Sequence, residues 1–280
     1  VSDLLGAYGL FLAELVTLAA LVVAVAMIIA ASRKGGHPEG FVVEHLNRRF
    51  ENLSDEVRRT VEGKARFRVA AKARRKARKL EERARAKQEH LRPRLFVLDF
   101  KGDLRASAGA SLREEVSAVI SVASPDDEVL LRLENSGGAV HEHGFAASQL
   151  LRLKAGGLKL MVAVDKVAAS GGYLMACVAD RLMAAPFAVV GSIGVLVQLP
   201  NFHRLLEDKG IDFEQVTAGR FKRTLTMFGE NTPEGREKVR EEVEDVHALF
   251  KSQIREHRPA VDLERVATGE YWYGVRALEL

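Results

Sequence analysis

From Leu4 to Ala31 the chain carries one charged side chain, Glu14, in 28 residues. A helix of that length rises about 1.5 Å per residue and crosses a hydrocarbon layer of roughly 30 Å with some tilt. Leu15 to Ala31 contains no proline, glycine or charge to interrupt it. A buried helix of a large soluble core is the alternative, and the charged arm that follows argues against it. The opening VSDLLG has an acid and no base, so it lacks the basic start of a cleaved signal peptide. The expectation is a retained single transmembrane anchor over residues 1–32, with Glu14 near an interface or against a partner. Arg33 and Lys34 follow at once, and the positive-inside rule puts the long C-terminal part in the cytoplasm.

The net charge of +4 averages unlike segments. Between Arg58 and Arg94, 16 Lys or Arg stand against four Glu, so this stretch carries +12 and the rest of the chain −8. Its core, RVAAKARRKARKLEERARAKQEH, consists mostly of good helix formers and lacks Gly and Pro, which predicts a helix within a basic extension over 33–93. Val69, the alanines and Leu80 make too thin an apolar face for a coiled coil. A charged spacer and a helix lying over anionic headgroups both fit. A nucleic-acid partner fits less well, because interleaved aromatics and a binding module are missing.

After Pro93 the composition changes. LFVLDF (95–100), EVLLRL (128–133) and LKLMVAVD (158–165) read as buried strands, and Ser111 to Val122 and Gly144 to Lys154 as the helices between them. That alternation predicts an α/β domain over 94–280 with a largely parallel sheet and functional loops after the strand ends. A chain with 47% hydrophobic and 29% charged residues is neither disordered nor a disulfide-stapled mini-protein. Its single cysteine, Cys177, cannot form an internal bridge.

Two strand-end loops carry unusual residues. In Glu134-Asn135-Ser136-Gly137-Gly138, paired glycines leave backbone N–H groups unshielded, as an oxyanion hole needs, although such pairs also mark ordinary turns. In Ala168-Ala169-Ser170-Gly171-Gly172, a serine sits among small residues before an apolar helix. It reads either as an accessible nucleophile or as an N-cap.

A nucleophilic serine needs a base. No GxSxG elbow occurs, and the eight histidines form no Ser, His, Asp order. His141 and His143, in HEHG, read as residues of a solvated loop. A lysine serves if it is neutral when needed. Lys166 lies four residues before Ser170 and suits a structural or electrostatic role. Lys222, in TAGRFKRTLTMFGE, has Phe221, Leu225 and Met227 nearby to exclude water and is weakly preferred.

DKVAASGGYLMACVAD, APFAVVGSIGV and AGRFKRTLTMFGENTPEGREKVREE, with the anchor and basic extension, resemble the S49 family of membrane-associated serine peptidases, the signal peptide peptidase A family, and its branch of probable inner-membrane proteases. The resemblance implies a ClpP/crotonase-like fold and a serine and lysine dyad without metal or organic cofactor. By motif, Ser170 is the nucleophile, Lys222 the base and Ser192 a serine that orients the lysine. Gly137, Gly138 and Gly171 supply the oxyanion hole. The family loop commonly reads Ser-Pro-Gly-Gly, and here Asn135 and Ser136 replace its first two residues. The resemblance further implies polypeptide substrates, the lipid bilayer as a partner, and a homo-oligomer; in some single-domain members of the family neighbouring protomers share the dyad, and in others one chain holds both groups. It points to the outer face of a bacterial inner membrane, opposite to the vote of Arg33 and Lys34. A catalytically silent membrane scaffold and a crotonase-like acyl-CoA enzyme are the rival readings.

Thr232 to Arg258 reads as a helix with Pro233 near its start and Val239, Val243, Val246, Leu249 and Phe250 in one apolar stripe for core or subunit packing. Trp272 reads as a packing aromatic. The family continues past the position of Leu280, so the domain is expected to lack its last elements.

Overall fold

The computed structural model of the protein describes residues 16, 17, 19, 42–85 and 92–280. The anchor expected over 1–32 lies outside the described residues apart from three positions. Among the described residues no helix is long and apolar enough to cross a membrane. The chain divides into two compact units, residues 1–57 and 58–280, each described by itself.

The described part of the basic extension is mostly helical, as its composition predicts. Helix α1 (Leu46–Glu62) ends at Gly63, whose φ of +76° suits a residue without a Cβ, and α2 (Lys64–Arg85) follows. Phe50, Leu53 and Val57 of α1 and Val69 and Leu80 of α2 are exposed.

The α/β part begins with β1 (Leu95–Lys101), α3 (Gly109–Val122), β2 (Glu128–Glu134), α4 (Val140–Ala155) and β3 (Lys159–Val164). With β5 (Arg181–Ala184) these strands form one parallel sheet in the order β1-β2-β3-β5. Alternate residues point inward: Leu98 and Phe100 of β1, Val129, Leu131 and Leu133 of β2, and Leu160, Val162 and Val164 of β3 are buried. Leu112, Val116 and Val119 of α3 and Ala146, Ala147, Leu150 and Leu153 of α4 belong to the same buried cluster. The other sheet face carries the Asp99–Arg132 ion pair across the β1–β2 register.

A second, smaller sheet is absent from the sequence reading. It joins β4 (Val167–Ala169), β6 (Val189–Gly191) and β7 (Tyr271–Tyr273), with β4 parallel to β6 and β6 antiparallel to β7. Trp272 pairs with Val190 and fills the space above Gly191, where a Cβ would come within 2.8 Å of its ring, so it does pack. Helix α5 (Gly171–Ala176) follows β4, and the short α6 (His203–Asp208) precedes a long irregular segment. Helix α7 (Pro233–His257) is capped by the Thr232 hydroxyl, which accepts from Gly235 N–H at 3.0 Å, with Pro233 in the first turn. Its stripe is buried only at Phe250 and Ile254; Val239, Val243 and Val246 are half-buried and Leu249 is exposed. Helices α8 (Leu263–Val266) and α9 (Gly274–Ala277) are single turns.

The starts of β1 and β2 are pinned by a charge pair. Asp127, 2% exposed, accepts from Arg94 Nη2 at 2.7 Å, from Arg94 N–H at 2.6 Å and from Ser124 N–H at 2.7 Å. The Arg94 guanidinium first, and then these backbone donors, hold the Asp127 carboxyl at about 2. A depressed carboxyl stabilises the fold above its unfolded pKa near 4 and loses that contribution as pH falls through 2. Because Arg94 is partly solvated, the contribution is about 1 to 2 kcal/mol. Urea unfolding should therefore show the parent losing more stability than Asp127→Asn between pH 4.5 and 2. Equal losses would remove the pair from the fold's energetics.

Candidate active site

Three-residue β4 delivers the chain to Ser170 and α5 carries it away. Ser170 has φ +51° and ψ −121°, a conformation uncommon for a residue with a Cβ and one that costs about 1 to 3 kcal/mol. The turn is held from both sides, by Ser170 N–H donating to Gly191 O at 2.8 Å and Leu174 N–H donating to Ser170 O at 3.0 Å. The Ser170 hydroxyl makes no capping hydrogen bond to α5. Glycine at 172 is required here, since a Cβ would lie 2.1 Å from Asn135 O.

Ser192 stands beside Ser170. Ala169 and Gly191 are register partners, so the next residue on each parallel strand is one of the two serines. Parallel neighbours lie about 4.8 Å apart, and both serines have φ +51°. The Ser192 backbone N–H donates to Glu270 O at 2.6 Å and its hydroxyl to Gly269 O at 3.3 Å.

The glycine loop after β2 closes on the same point. Gly137 has φ +90°, and a Cβ there would meet Ser170 Cβ and Gly171 N at 2.7 Å. Gly138 presses on the Leu104 carbonyl, which a Cβ would strike at 2.1 Å. Their donors differ from the sequence expectation in one respect. Gly137 N–H is already given to Asn135 Oδ1 at 2.8 Å, so it is not available to a ligand. Among the described residues, the N–H groups of Gly138 and Gly171 have no partner. They are the donors left beside Ser170.

The histidines correct the loop reading of HEHG. Both lie in the first turn of α4. His141 is exposed, with Nε2 3.7 Å from Glu142. His143 is fully buried, its ring nitrogens 2.9 Å from Ala139 O and 3.2 Å from Asn135 Oδ1. Asn135, 1% exposed, stands in the glycine loop singled out from the sequence, but its buried side chain was given no role there.

Lys166 is engaged, donating to Glu134 at 3.1 and 3.3 Å, and that bond above all holds the Glu134 carboxyl below its ordinary value. Lys222 is exposed on the long segment before α7. That segment is fastened to the start of α7: Thr224 O touches Gly235, Arg220 pairs with Glu234, and Lys238 Nζ lies 5.7 Å from the centre of the Phe221 ring. Lys222 does not line the cavity at Ser170.

That cavity holds about 290 Å³. Val140, Leu151, Leu174, Val195, Val246 and Phe250 give it an apolar wall, and Ser170, Gly138 and Gly171 lie along it. Cys177 offers no competing nucleophile, because burial pushes its thiol up to about 12. The arrangement presents one hydroxyl, two free N–H donors and an apolar pocket to a carbonyl compound.

Residues 3–150 match the model of peptidase family S49, N-terminal, and residues 152–280 that of peptidase family S49. The chain is 46% identical to the probable protease SohB of Haemophilus influenzae, over 100% of this chain and 82% of that protein. It is 59% identical to the probable protease SohB of Buchnera aphidicola subsp. Acyrthosiphon pisum, over 66% of this chain and 55% of the relative's length. A putative protease of Synechocystis, slr0021, is 30% identical over 54% of this chain and 55% of its own.

Proposed function

The chain belongs to peptidase family S49 and is a peptidase; from that premise we propose that it is a serine endopeptidase anchored in a bacterial inner membrane, with Ser170 as nucleophile and Lys222 as general base. The observation that carries the proposal is the strained turn at Ser170, flanked by the free N–H groups of Gly138 and Gly171 and opening on the apolar cavity. Lys222 takes the Ser170 proton as the oxygen attacks the peptide carbonyl. The negative charge that develops on the carbonyl oxygen falls between the Gly138 and Gly171 donors. The lysine, now an ammonium, gives its proton to the leaving amine. Water deprotonated by the same lysine then releases the acyl group from Ser170. Ser192, which follows the register partner Gly191 as Ser170 follows Ala169, orients the lysine.

Distance supports a site shared between protomers. The segment bearing Lys222 is tied to Gly235, and the cavity at Ser170 borders Val246 to Gln253 of the same helix. At 1.5 Å per residue these stretches are roughly 17 to 27 Å apart along α7. That span is longer than a lysine side chain and supports a base supplied to each serine by a neighbouring copy. Leu196, Val197, Phe202, Leu205 and Phe213 are exposed on the segment between β6 and α7 and offer that copy an apolar face.

The apolar cavity favours apolar side chains next to the cut bond, and residues 1–32 hold the site at a bilayer. Signal-peptide remnants and other membrane-proximal polypeptides fit both conditions. A biotinylated fluorophosphonate tests the chemistry directly, since it phosphonylates an activated serine. Mass spectrometry of the native protein in detergent should find the adduct on Ser170. An assembled, folded protein with Ser170 unmodified would refute the nucleophile.

A further inference from the structure

We propose that Asn135 and His143 form a buried brace that positions the oxyanion loop, so that both are positioning residues for hydrolysis; this rests on the serine-peptidase reading above. Burying an amide and an imidazole is costly unless their polar atoms find partners. Here the partners are the loop itself. Asn135 Oδ1 accepts from Gly137 N–H at 2.8 Å, which fixes the amide orientation, because the flipped form would set Nδ2 against a donor. The same oxygen lies 3.2 Å from His143 Nε2, and His143 Nδ1 lies 2.9 Å from Ala139 O. A ring carrying both protons satisfies both oxygens and a neutral ring satisfies one. The brace therefore touches residues 135, 137 and 139 and spans the glycine pair.

It also reaches the other wall of the site. The backbone of Gly171 rests on the imidazole, and a Cβ at that position would fall 2.5 Å from His143 Cγ. One buried pair thus contacts the Gly137-Gly138 loop and the Gly171 backbone, the two sources of free donors. The loop needs such support, because Gly137 and Gly138, with φ of +90° and +155°, have no side chains to restrict their backbones. By occupying Gly137 N–H, Asn135 selects Gly138 N–H as the loop's donor. The pair thereby supplies a rigidity that a loop without proline otherwise lacks.

The test compares Asn135→Leu, Asn135→Asp, His143→Phe, His143→Gln and Ser170→Ala in the full chain in detergent, reading kcat and KM on a fluorogenic apolar peptide together with the thermal midpoint. A misplaced oxyanion donor lowers kcat and leaves KM nearly unchanged, so Asn135→Leu should lose about 100-fold in kcat with KM within about twofold. His143→Phe should lose at least about tenfold. His143→Gln returns an N–H donor to Asn135 Oδ1, and Asn135→Asp keeps the acceptor for Gly137; each should recover to within about fivefold of the parent. If the apolar variants fold poorly, the comparison of Asn135→Asp and His143→Gln with the parent still decides, since a loss of about 100-fold in kcat by both at parental thermal midpoints would overturn the brace. Parental kcat in Asn135→Leu, or equal losses in the Gln and Phe variants of His143, would also overturn it. Full activity in Ser170→Ala would instead remove the serine-peptidase reading on which the brace rests.

Discussion

Ser170→Ala is expected to lower kcat on a membrane-proximal peptide by at least about 10⁴-fold, with the thermal midpoint and oligomer size unchanged. The size of the effect follows from what the hydroxyl does. On the proposed mechanism it supplies the attacking atom, and without it the donors at Gly138 and Gly171 have no developing oxyanion to stabilise. The absence of a structural penalty follows from the local geometry. The hydroxyl caps no helix, and the turn is held by backbone bonds to Gly191 and from Leu174 that alanine retains. The measurement is steady-state hydrolysis by the purified variant beside its unfolding curve. Turnover near the parent value would exclude Ser170, and a collapse in stability would make the serine a structural residue instead.

The second large effect concerns Lys222. Lys222→Ala alone should be as inactive as Ser170→Ala, and the proposed sharing of the site makes a mixture of the two informative. In oligomers reassembled from equal amounts, one interface in four on average joins an intact serine to an intact lysine, so activity should return to about a quarter of the parent value. A dyad within one chain predicts no recovery, because neither variant protomer holds both groups. The span between the start of α7 and the Ser170 cavity favours recovery. Co-dissolving the variants, reassembling them and assaying the mixture against each variant alone decides between the two arrangements.

Three of the four strands of the large sheet and its two crossover helices were legible in the sequence because their signals are local, whereas the four-residue β5 was not read. Strands β1, β2 and β3 combine short apolar runs with turn residues at their ends, and the runs expected over 95–100 and 128–133 are each extended by one residue in the structure. The small sheet was not legible. Its strands have three residues each, too few for a periodic pattern, and β7 reaches β6 from about eighty residues away. His143 was misread for a different reason. Its alternation with His141 drew attention to the loop, although His143, Ala146, Ala147 and Leu150 have the spacing of one helical face and are all buried. Asn135 carried no signal of its own, since its importance lies in contacts with Gly137 and His143 that only the folded loop creates. The serines at 170 and 192 were paired by resemblance, whereas the physical reason is a register match between two strands invisible to local patterning.

If Ser170 and Lys222 act as proposed, helix α7 separates two functions that a hydrolase usually keeps together. On the shared-site reading, a newly made chain carries a nucleophile at one end of this helix and a base at the other, and is latent until a second copy arrives. Hydrolysis then rises more steeply than in proportion to the number of chains at low surface density. On that reading isolated chains would spare their neighbours, and crowding in the plane of the bilayer would act as the trigger.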